Sequence, residues 1–265
     1  MAKLQKTIIK HDSHTHIGQY WNVFYDYHDA FLALKENAIK STTCAYLTPK
    51  FDDEQIAVEF HHAVVEEWRE AVKFEDSISL TVKPLWWSDP LVLSSGIQLE
   101  DIFSDFPFSG IAVHPRLHDW TSVKKSDLIT NIFQFAQNNK IPIFIHTGVS
   151  EEDSPYLFEP WFKQFLDAEV HLAHCKEPEP IIDLFTKYKN LFGDTAFCPA
   201  DSYEEICRRG FKNRMFFGSD FPITHFVKLG AKEREKNDLQ PSFNDLKDNY
   251  KMFLAENACN TYGGK

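Results

Sequence analysis

Eight short apolar runs, separated by longer stretches of helical periodicity, restrict this chain more than any other feature of its sequence. The runs cover residues 7–9 leading to His16, then 42–47, 78–86, 110–114, 141–146, 170–174, 191–196 and 215–220. They are β-branched or aromatic and do not alternate, which is the pattern of strands covered on both faces. Between them, Ile56, Phe60, Val64, Trp68 and Ala71 recur three or four apart and mark one face of a helix. Ser126 is placed to cap a helix carrying Ile129, Ile132, Phe133 and Ala136. Ile181, Ile182, Phe185 and Tyr188 mark another, and Leu246, Met252, Phe253 and Ala258 a last one. Strand and helix alternating through 265 residues predict an α/β fold, a single (β/α)8 TIM barrel spanning residues 1–265. An open, doubly wound sheet fits less well, because no glycine-rich turn follows the first run.

Composition narrows the partners. Hydrophobic residues make up 43% and charged residues 25%, the balance of a folded globular chain. A net charge of −11 argues against nucleic acid, whose phosphates need a basic surface. The five cysteines are scattered, with no C-x-x-C pair, as expected of free thiols in a reducing cytoplasm. No run approaches the roughly 18 apolar residues of a membrane span, and the first ten residues lack the apolar core of a secretory signal. The expectation is a cytoplasmic protein acting on a small molecule, without membrane or nucleic-acid partners; assembly into a homo-oligomer is left open.

The chemistry sits at the ends of the runs. Asp12-Ser13-His14-Thr15-His16 closes the first, and residues two apart on a strand face the same side. Imidazole is a good ligand for zinc and similar ions, yet an H-x-H pair alone is weak evidence. The signal grows because His146, His174 and Asp220 each stand at the C-terminal end of another run, where barrel enzymes assemble their sites.

With these pieces in order, the chain resembles the amidohydrolase superfamily, in its amidohydrolase-related, metal-dependent branch. The matching segments are residues 12–16, 110–115, 141–148, 172–174 and 217–222, with Glu256-Asn257-Ala258 like that branch's last helix. The resemblance implies that His14, His16, His146 and Asp220 bind a divalent ion, zinc first and manganese second. It gives His174 the task of orienting or polarising substrate and exchanging a proton. His171, two residues deeper, competes for that task. Ala112 stands where many two-metal relatives carry a bridging lysine, and Lys83 is the only inward-facing substitute, so one ion is expected. Asp194 resembles a position that is more often structural.

Around that centre, His114 and Arg116 flank Pro115, and Arg116 could pair with a substrate carboxylate or with a loop acid. Trp86 and Trp87 end the third run, and Trp86 is taken as an apolar wall for substrate, with core packing expected for at least one of them. His61 and His62 fall mid-helix and read as solvated; His11, His28, His118 and His225 carry no argument. Residues 221–241, with the charged run 232–236, are long enough to cover the barrel mouth as a lid.

Three imidazoles and one carboxylate leave a divalent ion positively charged, with room for a water whose pKa falls from roughly 16 to about 7. Asp220 and His174 would handle the protons. Hydrolysis of an ester, lactone or amide carbonyl is the first reading. A decarboxylase or hydratase of an aromatic or unsaturated carboxylate could use the same site. A nuclease on this fold lacks its glutamate here, and a non-catalytic barrel would not be expected to keep every ligand.

Overall fold

The computed structural model describes residues 11–20, 23–120 and 125–224. Residues 7–9, His225, Cys259, the expected helix over 246–258 and all but the first four residues of the expected lid lie outside the described residues. The elements in order are β1 (His11–Tyr20), β2 (Val23–Tyr25), α1 (Tyr27–Glu36), β3 (Ser41–Leu47), α2 (Glu54–Ile78) and β4 (Thr81–Trp87). There follow α3 (Pro90–Ser94), α4 (Leu99–Asp105), β5 (Gly110–Val113), α5 (Ser126–Asn139), β6 (Ile143–Ile145) and α6 (Glu159–Gln164). The described chain continues through β7 (Val170–Leu172), α7 (Pro178–Lys187), β8 (Leu191–Asp194), α8 (Ala200–Ile206) and β9 (Met215–Phe216).

The strands form one curled sheet in the order β2-β1-β3-β4-β5-β6-β7-β8-β9. All neighbours from β1 through β3 to β9 are parallel. β2 is the addition: β1 runs on past His16 and folds back in an antiparallel hairpin that pairs Gly18 with Tyr25. At the other side, main-chain bonds join the chain beyond β9 to β1. Ser13 N donates to Phe217 O, Asp220 N to His14 O and His16 N to Phe221 O, each at 2.8 Å.

The strands end earlier than their apolar runs. β6 stops at Ile145, β7 at Leu172 and β9 at Phe216, so His146, His174 and Asp220 stand on the turns just beyond. His174 (φ 75°) and Asp220 (φ 55°) adopt the left-handed backbone, which breaks the ladder and is uncommon for residues other than glycine. Ile78 belongs to α2 rather than to β4.

Period-2 alternation sorts each strand into two faces. Outward residues such as Cys44, Ile111, Ile143 and Leu172 pack under the helices. α2 buries Ala57, His61, Val64, Val65, Trp68 and Ala71, so its stripe passes through Ala57 rather than Ile56, which is 53% exposed. His61 is therefore not solvated: it lies against the Trp86 ring at 6.3 Å, edge to face, while His62 is exposed. Phe31 and Phe133, fully buried, each contribute about 1.5–3 kcal/mol by leaving water. α5 starts at Ser126 with Lys125 in the cap position, and no side chain makes the capping bond.

Inward residues fill the sheet's hollow in layers. Ala45, Leu85 and Ala112 cluster with Trp87 and Phe144. Beneath them His171 stacks on Phe144 at 4.5 Å and lies 5.4 Å from both Phe192 and Phe216. No helix among the described residues is long and apolar enough to cross a membrane. Cys44, Cys175 and Cys198 are buried thiols outside any disulfide.

Candidate metal centre and active site

His14 and His16 occupy the inner face of β1, and the turn after β9 brings Asp220 to them. His14 Nδ1 lies 2.8 Å from Asp194 Oδ2. A carboxylate only accepts, so Nδ1 carries the proton and Nε2 turns its lone pair inward. His16 Nδ1 points at the Ala45 carbonyl, 3.4 Å away, which favours the same tautomer. The two Nε2 atoms are 3.1 Å apart. Asp220 Oδ1 lies 3.0 Å from His16 Nε2 and 3.6 Å from His14 Nε2. That oxygen is buried and accepts no hydrogen bond from the described residues. Three electron-pair donors thus face one another away from water, which is repulsive unless a cation stands among them.

The electrostatics agree. Burial pulls the His14 pKa down, but the Asp194 and Asp220 carboxylates overcome it and carry the group up to about 9. A proton on His14 is then the cation that a metal would displace. Burial raises the Asp220 pKa, yet His14 and His16 outweigh it and bring the carboxyl down to about 2. His16 is lowered by burial, against the pull of Asp220.

His146 faces the same cavity but is held differently. His174 Nδ1 lies 3.1 Å from the Ala196 carbonyl and must donate to it, leaving a lone pair on Nε2. His146 Nδ1, 3.0 Å away, then donates to that lone pair and keeps its own free on Nε2. The His146 ring stacks on His114 at 3.9 Å and 12°. Among the described residues, potential ligand atoms thus converge in three groups: His14 with His16 and Asp220, His14 with His174 and Asp194, and His146 with His114 and Asp153. Burial lowers His174 to about 4 against the pull of Asp220, and burial followed by repulsion from neighbouring cationic groups lowers His114 to about 3 and His146 well below its usual value. All three are neutral at pH 7, the form that ligates metal.

Asp194 ties the halves together. Besides His14, it accepts the backbone N–H of His174 at 2.9 Å and of Ala196 at 3.0 Å. Gly218 passes close behind: a Cβ there would lie 2.8 Å from His14 Cβ and 3.2 Å from Asp194 Cβ, so a side chain would push both out of place.

These groups rim a cavity of about 180 Å³ whose walls include Leu47, Leu85, Ala112, Phe144, His114 and Phe197. Strand register puts Trp87, not Trp86, on the cavity wall. Trp86 points outward into the core beside His61, a correction to its expected contact with substrate. Trp87 Nε1 donates to His118 Nε2 at 2.9 Å, and His118 Nδ1 lies 3.4 Å from the Asp89 carboxylate. His118 therefore positions a wall residue 5.7 Å from the His16 ring, a role no sequence signal marked. Arg116 does not line the cavity; its Nε sits 3.3 Å from the buried Asp153 carboxylate, the loop-acid pairing. Lys83 lies deeper on the inner face of β4, near His11, whose pKa falls to about 4 through burial and then the Lys83 charge. His171 is buried in the floor, with Nε2 2.9 Å from Glu169, and does not line the cavity.

A family model described as "Amidohydrolase" matches residues 96–264, more than half of the sequence. The chain belongs to the amidohydrolase family. Superfamily members bind divalent metal ions, and the His14, His16 and Asp220 group has the donor chemistry for one. Solved structures support the fold of this amidohydrolase at low identity. One is a probable 2-pyrone-4,6-dicarboxylic acid hydrolase from Acinetobacter baumannii with citric acid bound, at TM-score 0.55 and 11% identity over 93% of this chain and 95% of that one. Another is 4-oxalomesaconate hydratase from Rhodopseudomonas palustris, at TM-score 0.58 and 13% identity over 93% and 97%. A third is 5-carboxyvanillate decarboxylase from Novosphingobium aromaticivorans with bound manganese, at TM-score 0.53 and 12% identity over 85% and 80%. No curated protein matches the sequence.

Proposed function

We propose that this amidohydrolase is a closed (β/α)8 barrel and a metal-dependent hydrolase of a small ester, lactone or amide. The observation that carries the reading is the facing of His14 Nε2, His16 Nε2 and the buried Asp220 Oδ1 at the rim of the cavity. These groups would hold one divalent ion, zinc or manganese, with His146 Nε2 completing the set after its ring turns toward them. When bound, such an ion activates water for attack on a carbonyl and stabilises the charge that develops there. The absence of a lysine at Ala112 supports a single ion, since Lys83 sits too deep in the hollow to bridge two.

The chain's own residues supply the rest. His174 is neutral at pH 7, and its Nε2 lone pair, which accepts from His146 Nδ1 until that ring turns to the ion, would then take the proton given up by the attacking water and return it to the leaving group. Asp194 fixes the tautomer of His14 and the backbone of His174 together. Phe144, Trp87 and Leu85 exclude water and strengthen each electrostatic contact at the rim.

The apolar walls also favour a second reading, a decarboxylase or hydratase of an aromatic or unsaturated carboxylate, the activities named for two of the structural neighbours. One experiment separates them: metal-loaded protein is screened against lactones, esters and amides in one panel and aromatic and unsaturated carboxylates in another. Turnover in the first panel supports hydrolysis, carbon dioxide release or hydration in the second supports the lyase reading. Failure to retain about one equivalent of metal would sink both.

A further inference from the structure

Among the described residues lining the cavity, the only lysine or arginine is Lys176 and the only carboxylate is Asp220. Asp220 is engaged with His14 and His16. Lys176 forms no ion pair among the described residues, and its Nζ stands 5.7 Å from the Phe197 ring centroid. Arg116, the cation expected to meet substrate, is turned away onto Asp153. Among the described residues the cavity is thus an apolar pocket with a donor cluster at its rim and one positive charge outside any ion pair.

We infer that Lys176 is the specificity-determining anchor for a carboxylate, and that the substrate is a small carboxylate-bearing molecule whose reacting carbonyl lies at the His14, His16 and Asp220 cluster. This deepens the proposed hydrolase reading and rests on it. The charge arithmetic selects the group: one lysine balances one carboxylate, whereas a phosphate monoester carries about −1.5 to −2 and is normally met by a forked arginine or several backbone N–H groups. Size selects the body. An apolar cavity of about 150 Å³ holds benzene, so the cavity of about 180 Å³ has space for a single ring. Trp87, Phe144 and Phe197 supply faces for that ring. Lys176 lies two residues beyond His174, so an anchored carboxylate sets the distance at which the rest of the ligand meets the proton-exchanging group.

The test uses benzoate and benzamide, equal in shape and different in charge, with binding followed by calorimetry on the full chain. Zinc-loaded and chelator-treated protein are both titrated, the second so that no metal holds the carboxylate. Wild type should prefer benzoate at least about tenfold in both forms, the effect of one charge-assisted hydrogen bond. Lys176→Met should bring the two ligands within about twofold of each other while leaving benzamide affinity and metal content unchanged; Lys176→Arg should keep the preference. A preference that survives Lys176→Met, disappears in Arg116→Met instead, or is absent from wild type overturns the assignment. Zinc content is read on the same samples: loss of stoichiometric metal counts against the hydrolase reading, and the chelated titration still decides Lys176.

Discussion

At the residue scale, the centre depends on lone pairs being aimed, and Asp194 does much of the aiming. It is buried, accepts from His14 Nδ1 and holds the His174 backbone in its left-handed turn. Asp194→Asn can present an N–H to His14, which then carries its proton on Nε2, the ligating atom. Such outer-shell changes typically weaken metal binding about 10–100-fold, and competition with a chromogenic chelator should show that loss. An unchanged affinity would mean that His14 is oriented by its backbone alone. His174 should behave in the opposite way. His174→Asn is expected to keep its metal while turnover of the best substrate falls about 10²–10⁴-fold, whereas Asp220→Asn loses metal and turnover together. A His174→Asn protein isolated without metal would make His174 a ligand.

At the scale of the element, α2 shows how far a helix can bury a titratable group. His61 sits in its apolar stripe against Trp86, and burial, then the neighbouring His62, lowers its pKa to about 4 from the usual 6.5. The folded protein therefore resists a proton that the unfolded chain takes up below about pH 6.5. Stability is fully present above that value and is lost as pH falls toward 4. A shift of this size corresponds to about 3 kcal/mol at most for His61. Urea unfolding of wild type and His61→Leu at pH 7 and pH 5 should show a smaller pH dependence in the variant. The difference between the two pH values is the quantity to compare, because His11 and His114 contribute with the same sign. Equal pH dependence in both proteins would place the titration elsewhere.

For the whole molecule, the site exists only because β1 meets the chain beyond β9. The bonds from Ser13 to Phe217, from Asp220 to His14 and from His16 to Phe221 place Asp220 beside the two histidines of β1, 204 and more residues earlier. If these bonds close the barrel, the amides of Ser13, His16 and Asp220 should exchange with solvent as slowly as those of β5 and β6. Fast exchange confined to these three amides would mean an open sheet and a centre that assembles only with metal.

Strand parity and element order were legible in the sequence because both are local. Two residues apart is one face of a strand wherever the strand lies, so His14 and His16 are paired before any fold is known. The apolar runs likewise show where the sheet is. What local pattern does not carry is the point at which each ladder stops, and therefore which neighbour of a turn faces inward. That is why Trp87 rather than Trp86 reaches the cavity, and why β1 continues into a hairpin. Burial of His61 rather than Ile56 depends on how α2 is rotated against the sheet. The pairing of His14 with Asp194, 180 residues away, the diversion of Arg116 to Asp153 and the approach of Lys176 to Phe197 depend on which distant groups come close in space. Ligand types and their order come from the chain itself; their convergence, tautomers and charge partners are decided by tertiary contacts, since electrostatics and hydrogen bonding act through space and not along the sequence.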